Sequence, residues 1–176
     1  MSRPGKNDHP EYFTQYIDLV TEEDLPAAFA AQLPVIRELL SSISEQQSMF
    51  AYAPGKWSIK EMLQHLIDAE RIFSYRALSI ARKESASLPG FDENAYASNS
   101  EANQRNWLSL CNEFMNVRRS TLDLFENFRP EMLEQRGISN TKEMTVLSLG
   151  YIALGHTYHH FKVIKEKYLQ PAATHS

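Results

Sequence analysis

Apolar side chains recur at helical spacing along four stretches of the chain. Positions three and four residues apart share one face of an α-helix, so each stripe indicates a helix with one buried face. The stripes run over residues 25–43, 62–80, 107–128 and 149–163. Four amphipathic helices in one chain predict an all-α protein, a four-helix bundle with a single core.

Capping residues and prolines indicate where these helices begin and bend. Residues 21–24 resemble a capping signal for the first helix, and Pro34 is expected to kink it. Ser58, followed by Glu61 three residues later, has the pattern of a capping box for the second helix. Ser100 is expected to begin the third helix. The second, third and fourth helices are therefore predicted over 58–83, 100–130 and roughly 141–168.

The segments between the helices complete the predicted organisation. Residues 1–20 have no clear period and are expected to be irregular and to lie on the surface. The bundle is predicted over 21–170, with a tail at 171–176. The connection 85–99 is long for a bundle, which is typical of functional loops and permits a crossing between its helices. No stretch has the period-two pattern of a strand, so no sheet is expected.

Composition narrows the possible functions. The chain has 176 residues, 43% of them hydrophobic, and a formal net charge of −4. An acidic chain without a basic cluster is not expected to bind nucleic acid. No apolar run approaches the roughly 18 residues that span a membrane, and the first residues lack the apolar segment of a signal peptide. With Cys111 the only cysteine, no intrachain disulfide can form, and the protein is expected to be cytoplasmic.

The histidines are the side chains that most strongly indicate a functional site. His156 and His160 are four residues apart on the predicted last helix, and His159 lies beside them. A helical wheel slightly favours His156 with His160 as a pair but does not exclude His156 with His159. His65 lies at the inner edge of the second helix. The pattern fits a three-histidine metal site with an open position, or imidazoles that are simply packed in the core.

Other side chains give weaker indications. Asp68, Ile72 and Arg76 share the side of the second helix that carries His65. Asp68 could ligate a metal, orient a ligand from behind, or be a solvated acid. Cys111 lies beside the core stripe of the third helix and is expected to pack there. Arg118, with Arg119, is expected on a solvated face. No catalytic nucleophile is predicted.

Five segments together resemble the DinB-like (DinB/YfiT) superfamily. They are YIDLV at 16–20, PGKWSIKE at 54–61, HLIDAERIFSYRAL at 65–78, LPGFDENAY at 88–96 and GHTYHH at 155–160. The resemblance implies a four-helix bundle that holds one divalent metal through His65, His156 and His160. His159 and Asp68 would then be candidates for orienting the metal ligands from behind. Asp92 and Tyr96, in the 88–96 loop, would be candidates for substrate contact.

The resemblance also implies an activity. Relatives include thiol-dependent S-transferases and a thiol-dependent isomerase that use low-molecular-weight thiols, and relatives often form homodimers. We therefore expect a metal-dependent thiol S-transferase acting on a small molecule. A metal-dependent hydrolase and a non-catalytic, metal-binding stress-response protein are the alternatives. Three imidazoles suit zinc or nickel first, and iron or manganese next.

Overall fold

The computed structural model describes residues 3–169, so the predicted tail at 171–176 lies outside the described part of the chain. Four long helices form the bundle and confirm the predicted fold class. The elements, in chain order, are a 3-10 turn at Glu11–Phe13, α1 at Thr14–Ile17, α2 at Leu25–Ser41, α3 at Glu45–Ser48, α4 at Ile59–Ala81, α5 at Glu93–Asn99, a 3-10 turn at Ala102–Gln104, α6 at Trp107–Glu126, α7 at Pro130–Leu133, β1 at Arg136–Ser139, β2 at Lys142–Thr145, α8 at Val146–Val163 and a π-helical turn at Ile164–Tyr168.

The long helices are not arranged in chain order around the bundle. Helix α4 packs mainly against α6 and α8, and α2 also packs against α6 and α8. Helices α2 and α4 therefore lie diagonally opposite each other, and so do α6 and α8. The long connection between α4 and α6 joins neighbouring helices, while the other two connections cross the bundle. The connection between α4 and α6 is therefore long enough to cross the bundle but does not do so.

Several predicted helix ends are confirmed. The Asp24 carboxylate accepts a hydrogen bond from the Ala27 backbone N–H at 3.1 Å and caps α2. Ser58 and Glu61 form the predicted capping box at the start of α4. Pro34 lies inside α2, which continues past it to Ser41 as one helix. Local side-chain chemistry therefore sets the N-termini of both helices.

The predicted start of the third helix at Ser100 is wrong. Helix α6 begins at Trp107, where the Asn106 side chain accepts a hydrogen bond from the Ser109 N–H at 3.1 Å. Ser100 instead follows the last residue of α5, a short helix inside the segment predicted as a loop. Asp92 caps α5 by accepting hydrogen bonds from the Asn94 and Ala95 backbone N–H groups.

A β-hairpin that the sequence pattern did not predict precedes the last helix. Strands β1 and β2 pair in antiparallel register. The two residues that join them, Asn140 and Thr141, have φ values of 49° and 65°. Positive φ at both positions is the geometry of a tight type I′ turn. The hairpin delays the start of α8 to Val146, five residues after the predicted start, and Leu88 pairs with its edge at Ser139.

Much of the N-terminal segment is exposed, and its last residues anchor it in the core. Tyr16, Ile17 and Val20 are buried. Helix α1 packs on α8 at Gly155, where an added Cβ would lie 1.9 Å from the Tyr16 carbonyl oxygen. Glycine is therefore required at this position of α8, because any side chain would displace α1.

Polar residues occupy the border between two apolar clusters in the bundle. One cluster contains Leu154 and Phe73, and the other contains Leu66 and Phe161. On α8 the histidines lie between Leu154 and Phe161. Arg118, predicted on a solvated face, is completely buried at this border. Within residues 3–169, no helix is long and apolar enough to cross a bilayer.

Candidate metal centre

Three histidine side chains from two helices meet at this border. His65 is on α4, and His156 and His160 are one turn apart on α8. The Nε2 atom of His156 lies 3.1 Å from that of His65 and 3.0 Å from that of His160. All three candidate ligand atoms lie within 4.8 Å of one another. The structure therefore brings together the three histidines that the sequence singled out.

Burial keeps these rings neutral. It lowers the pKa of His65 from 6.5 to about 4. Burial and the neighbouring histidines lower the pKa of His160 to about 3 and that of His156 well below its ordinary value. A neutral imidazole has a lone pair on one nitrogen, which is the form that ligates metals.

The donor set fits a divalent metal ion. Two nitrogens about 2.0–2.1 Å from one ion lie roughly 3.0–3.4 Å apart at usual ligand angles, which matches the observed contacts. As hydrogen bonds these contacts are poorly satisfied. Each neutral ring has one N–H, and His156 Nε2 faces two partners at once. A divalent cation would accept the ring lone pairs that these contacts leave without a donor.

Aromatic rings enclose the cluster on two sides. The Tyr16 ring stands at right angles to His156 and His159, with centroid distances of 5.5 and 5.3 Å. Burial raises the pKa of Tyr16, so its side chain remains a neutral phenol. Its hydroxyl oxygen lies 3.2 Å from that of Tyr12. Trp57 covers His65 from the other side at 4.9 Å. Tyr16 was not among the predicted site residues, although the 16–20 segment contributed to the resemblance.

A small cavity opens onto the cluster. It has a volume of about 140 Å³ and reaches His65 and His156. Aromatic side chains form much of its wall, and two charged side chains also line it; these residues include Phe13, Tyr16, Phe73, Phe91, Arg76 and Glu93. The cavity gives a small molecule access to His65 and His156.

Asp68 and Tyr96 line a separate cavity of about 670 Å³ that contains none of the three histidines. Asp68 accepts a hydrogen bond from Gln64 Nε2 at 2.9 Å, and burial raises the pKa of its carboxyl. Within the described chain, no hydrogen bond joins Asp68 to a site histidine. Asp92 is exposed and caps α5. Of the predicted secondary residues, only His159 lies against the cluster.

A buried ion pair lies close behind the histidines. Arg118 Nη2 is 2.8 Å from Glu70 Oε2, and both side chains are almost fully buried. The same Nη2 donates a hydrogen bond to Thr157 Oγ1 at 2.8 Å. Thr157 directly follows His156, so this pair braces the helix that supplies two of the three histidines.

Comparison with known families places the chain in a wider group. A sequence profile of the DinB superfamily matches residues 28–164. The chain belongs to the DinB superfamily. The predicted family is thereby confirmed. No curated protein matches the chain in a sequence comparison.

Two solved structures share the fold of this DinB superfamily member. YfiT from Bacillus subtilis is described as a probable metal-dependent hydrolase with an unusual four-helix bundle topology. It is 15% identical, with a TM-score of 0.69 and coverage of 93% of this chain and 90% of YfiT. A mycothiol-dependent maleylpyruvate isomerase is 8% identical, with a TM-score of 0.63 and coverage of 85% of this chain. The match spans 59% of the isomerase chain. At these identities, the likeness establishes the fold.

Proposed function

We propose that this protein is a metal-dependent enzyme in which His65, His156 and His160 hold one divalent ion. One observation carries the proposal: three neutral imidazoles converge beside a cavity that reaches two of them. A closed structural site would have a fourth protein ligand. Among residues 3–169, the potential ligand cluster consists of these three histidines alone. Zinc or nickel suits them best, with iron or manganese as further candidates.

The surrounding residues prepare the cavity for chemistry. The neutral rings are held in place by α4 and α8, and Phe73 and Phe91 give the cavity an apolar wall. The Tyr16 phenol can donate a hydrogen bond to a bound group. A divalent metal, when bound, would supply Lewis-acid chemistry that lowers the pKa of a thiol or water and makes it a nucleophile.

The nucleophile is proposed to be a low-molecular-weight thiol. Cys111, the chain's own thiol, lies beside Trp107 in a different cavity, and burial raises its pKa to about 12. It is therefore a poor nucleophile and is remote from the histidines. In S-transfer, the thiol sulfur bonds to an electrophilic carbon, the leaving group departs with its electron pair, and the thiol proton passes to solvent. The thiol-dependent neighbour supports this choice.

Hydrolysis is the second candidate reaction. It is supported by the description of YfiT as a probable metal-dependent hydrolase, and the same cavity would admit water in place of a thiol. A non-catalytic, metal-binding role in stress response is the third candidate. A cytoplasmic location and a homodimer remain predictions of this proposal.

Turnover of a panel of electrophiles tests the proposal. Each electrophile is combined with several low-molecular-weight thiols, with added zinc or nickel and after chelation. We expect turnover that requires both metal and thiol and disappears in His160→Ala, while His159→Ala retains most of it. Metal-dependent turnover without thiol would assign hydrolysis. Metal binding without turnover across the panel would favour the non-catalytic role.

A further inference from the structure

We propose that Arg76 is an anion-binding residue of the histidine cavity and that the ligand of this cavity carries a carboxylate. The inference rests on the proposed function in one respect, because it takes the cavity beside the histidines as the substrate site. It adds the chemical class of the ligand and the residue that recognises it.

Arg76 is a buried cation without an acidic partner. Its side chain lines the histidine cavity, and the residue is only 5% exposed. Nη2 donates one hydrogen bond, to the Pro89 carbonyl oxygen at 2.8 Å. None of the ion pairs among residues 3–169 includes Arg76. A guanidinium has five N–H donors, so most of its hydrogen-bonding capacity is available to a ligand.

Arg118 shows how this bundle otherwise treats a buried guanidinium. Arg118 is less accessible still, at 0% exposed, but it is paired with Glu70 and also donates to Thr157. A buried charge without a counter-charge is costly to the folded state. Arg76 differs from Arg118 in lining a cavity, and a carboxylate ligand would supply the missing counter-charge. Arginine suits this role because its planar fork can bind both oxygens of a carboxylate.

Arg76 and His65 lie at different places along α4, so Arg76 and the histidines would contact opposite ends of a ligand. Arg76 follows His65 by three turns of α4, a rise of roughly 16 Å between Cα atoms. Its side chain extends back towards the helix N-terminus, as long helical side chains do. Phe73 lies between them, with its ring 5.8 Å from that of His156, and Phe91 lies 6.0 Å from the guanidinium carbon of Arg76. We therefore infer a carboxylate at one end, an apolar middle, and the reacting group at the histidines.

The cavity also limits size and charge. A volume of about 140 Å³ admits a small molecule. Glu93 lines the same cavity and forms no ion pair with Arg76. Its carboxylate disfavours a second negative charge on the ligand. The chemistry fits a small monocarboxylate with an apolar body.

Binding of phenylacetate and its neutral amide, phenylacetamide, tests the inference. Titration calorimetry on the full chain, with and without zinc, measures both probes. We expect phenylacetate to bind more tightly than phenylacetamide in both forms. Arg76→Met should weaken phenylacetate binding by about 10–100-fold, the loss expected for a hydrogen bond to a charged group. Phenylacetamide binding should change little.

Two further variants serve as controls. Arg76→Lys keeps the charge and should retain part of the preference for phenylacetate. Arg71→Met removes an exposed positive charge from the same helix, away from the cavity, and should leave both affinities unchanged. If Arg76→Met does not fold, as judged by circular dichroism and melting, the two probes on the wild-type chain and Arg76→Lys still decide the question.

Equal affinity of the wild-type chain for the two probes would overturn the inference. So would phenylacetate binding that requires zinc and is unchanged in Arg76→Met, because the carboxylate would then bind at the histidines. Arg76-dependent binding to the zinc-free chain would stand even if no thiol reaction were found. Conversely, thiol-dependent turnover with no Arg76-dependent preference for carboxylates would support the proposed function and overturn this inference.

Discussion

Two groups of polar side chains lie at the border between the apolar clusters, and they differ in whether they neutralise themselves. Glu70 and Arg118 form a pair of opposite charges, enclosed on all sides. The three histidines are all neutral imidazoles, and each directs a nitrogen towards one point beside a cavity. The ion pair supplies its own opposite charges, whereas the three neutral imidazoles form a donor set that a cation from outside would occupy.

Because of this difference, we expect substitutions in the ion pair to affect stability and substitutions of the histidines to affect metal binding. Removing a partner from a buried ion pair leaves an uncompensated charge and should mainly destabilise the fold. Removing a histidine should mainly abolish ion binding, because the remaining rings are neutral. The two clusters lie at the same border and share helix α4, which carries both His65 and Glu70, so variants at one serve as controls for the other.

The largest expected effect is loss of metal in histidine variants. His156 makes both of the close Nε2 contacts, so His156→Ala should reduce metal content from one ion per chain to nearly none. His65→Ala and His160→Ala should show the same loss, and His159→Ala should keep most of the metal. Elemental analysis of the purified variants measures this. Loss of metal in His159→Ala but not in His160→Ala would refute the ligand set.

Breaking the ion pair should have the opposite result, a loss of stability without a loss of metal. We expect Glu70→Ala to lower the free energy of unfolding by about 3–5 kcal/mol, because Arg118 then remains buried without a counter-charge. Urea unfolding measures the change, and metal content per folded chain should be unchanged. The double variant Glu70→Leu, Arg118→Met serves as the control. It should be less destabilised, since it leaves no charge unpaired, and equal destabilisation would contradict the pair's assigned role.

Metal should stabilise the chain in a pH-dependent manner. Saturation at 1,000 times the dissociation constant adds about 4 kcal/mol. For a chain of this size that is roughly 8–16 °C in Tm. Burial lowers the histidine pKa values from 6.5 to about 4 for His65 and about 3 for His160, so the unfolded chain binds more protons below pH 6.5. Stability should therefore fall as pH drops from about 6.5 towards 3.

The gain from metal should shrink over the same range, because protons compete for the ligand nitrogens. Melting curves at several pH values, with zinc and with a chelator, measure both trends. An unchanged melting curve after complete removal of metal would count against a site that joins α4 to α8. His156→Ala is the control, since its melting curve should not respond to zinc.

The smallest effect is expected at Asp68. A residue that orients a ligand from behind typically contributes 10–100-fold to metal affinity or activity. Asp68 is bonded to Gln64 and lines a different cavity, so Asp68→Asn should change zinc affinity by less than about 3-fold. Competition with a chromogenic chelator measures the affinity. A 10-fold loss would show that Asp68 supports the histidines despite its position.

The sequence predicted the long helices well because their signals are local. The apolar stripe of α4 and its Ser58–Glu61 capping box involve residues within one or two turns of each other. The hairpin could not be predicted in this way. Its strands are four residues each without clear alternation, and its turn uses Asn140 and Thr141 in place of the usual glycine. The position of Ser100 was equally ambiguous, because the same residue type can precede a helix or follow one.

At the site, the grouping of His65 with the last-helix histidines followed from periodicity and the family resemblance. The surroundings depended on tertiary contacts that periodicity does not encode. Arg118 lies on α6 as a charged residue next to another arginine, and only its pairing with Glu70 allows it to be buried. Asp68 and Arg76 were predicted to share a side of α4, yet they line different cavities.

The contact of Tyr16 with Gly155 and His156 joins the beginning of the chain to its last helix. During synthesis, α1, α2, α4 and α6 are all made before His156 leaves the ribosome. Helix α8, which packs against α1, α2 and α4, is incomplete until then. Assembly of the three histidines is consequently a late folding event of high sequence separation. A nascent chain must keep exposed apolar faces from aggregating until its final quarter is complete, and only then can it capture an ion.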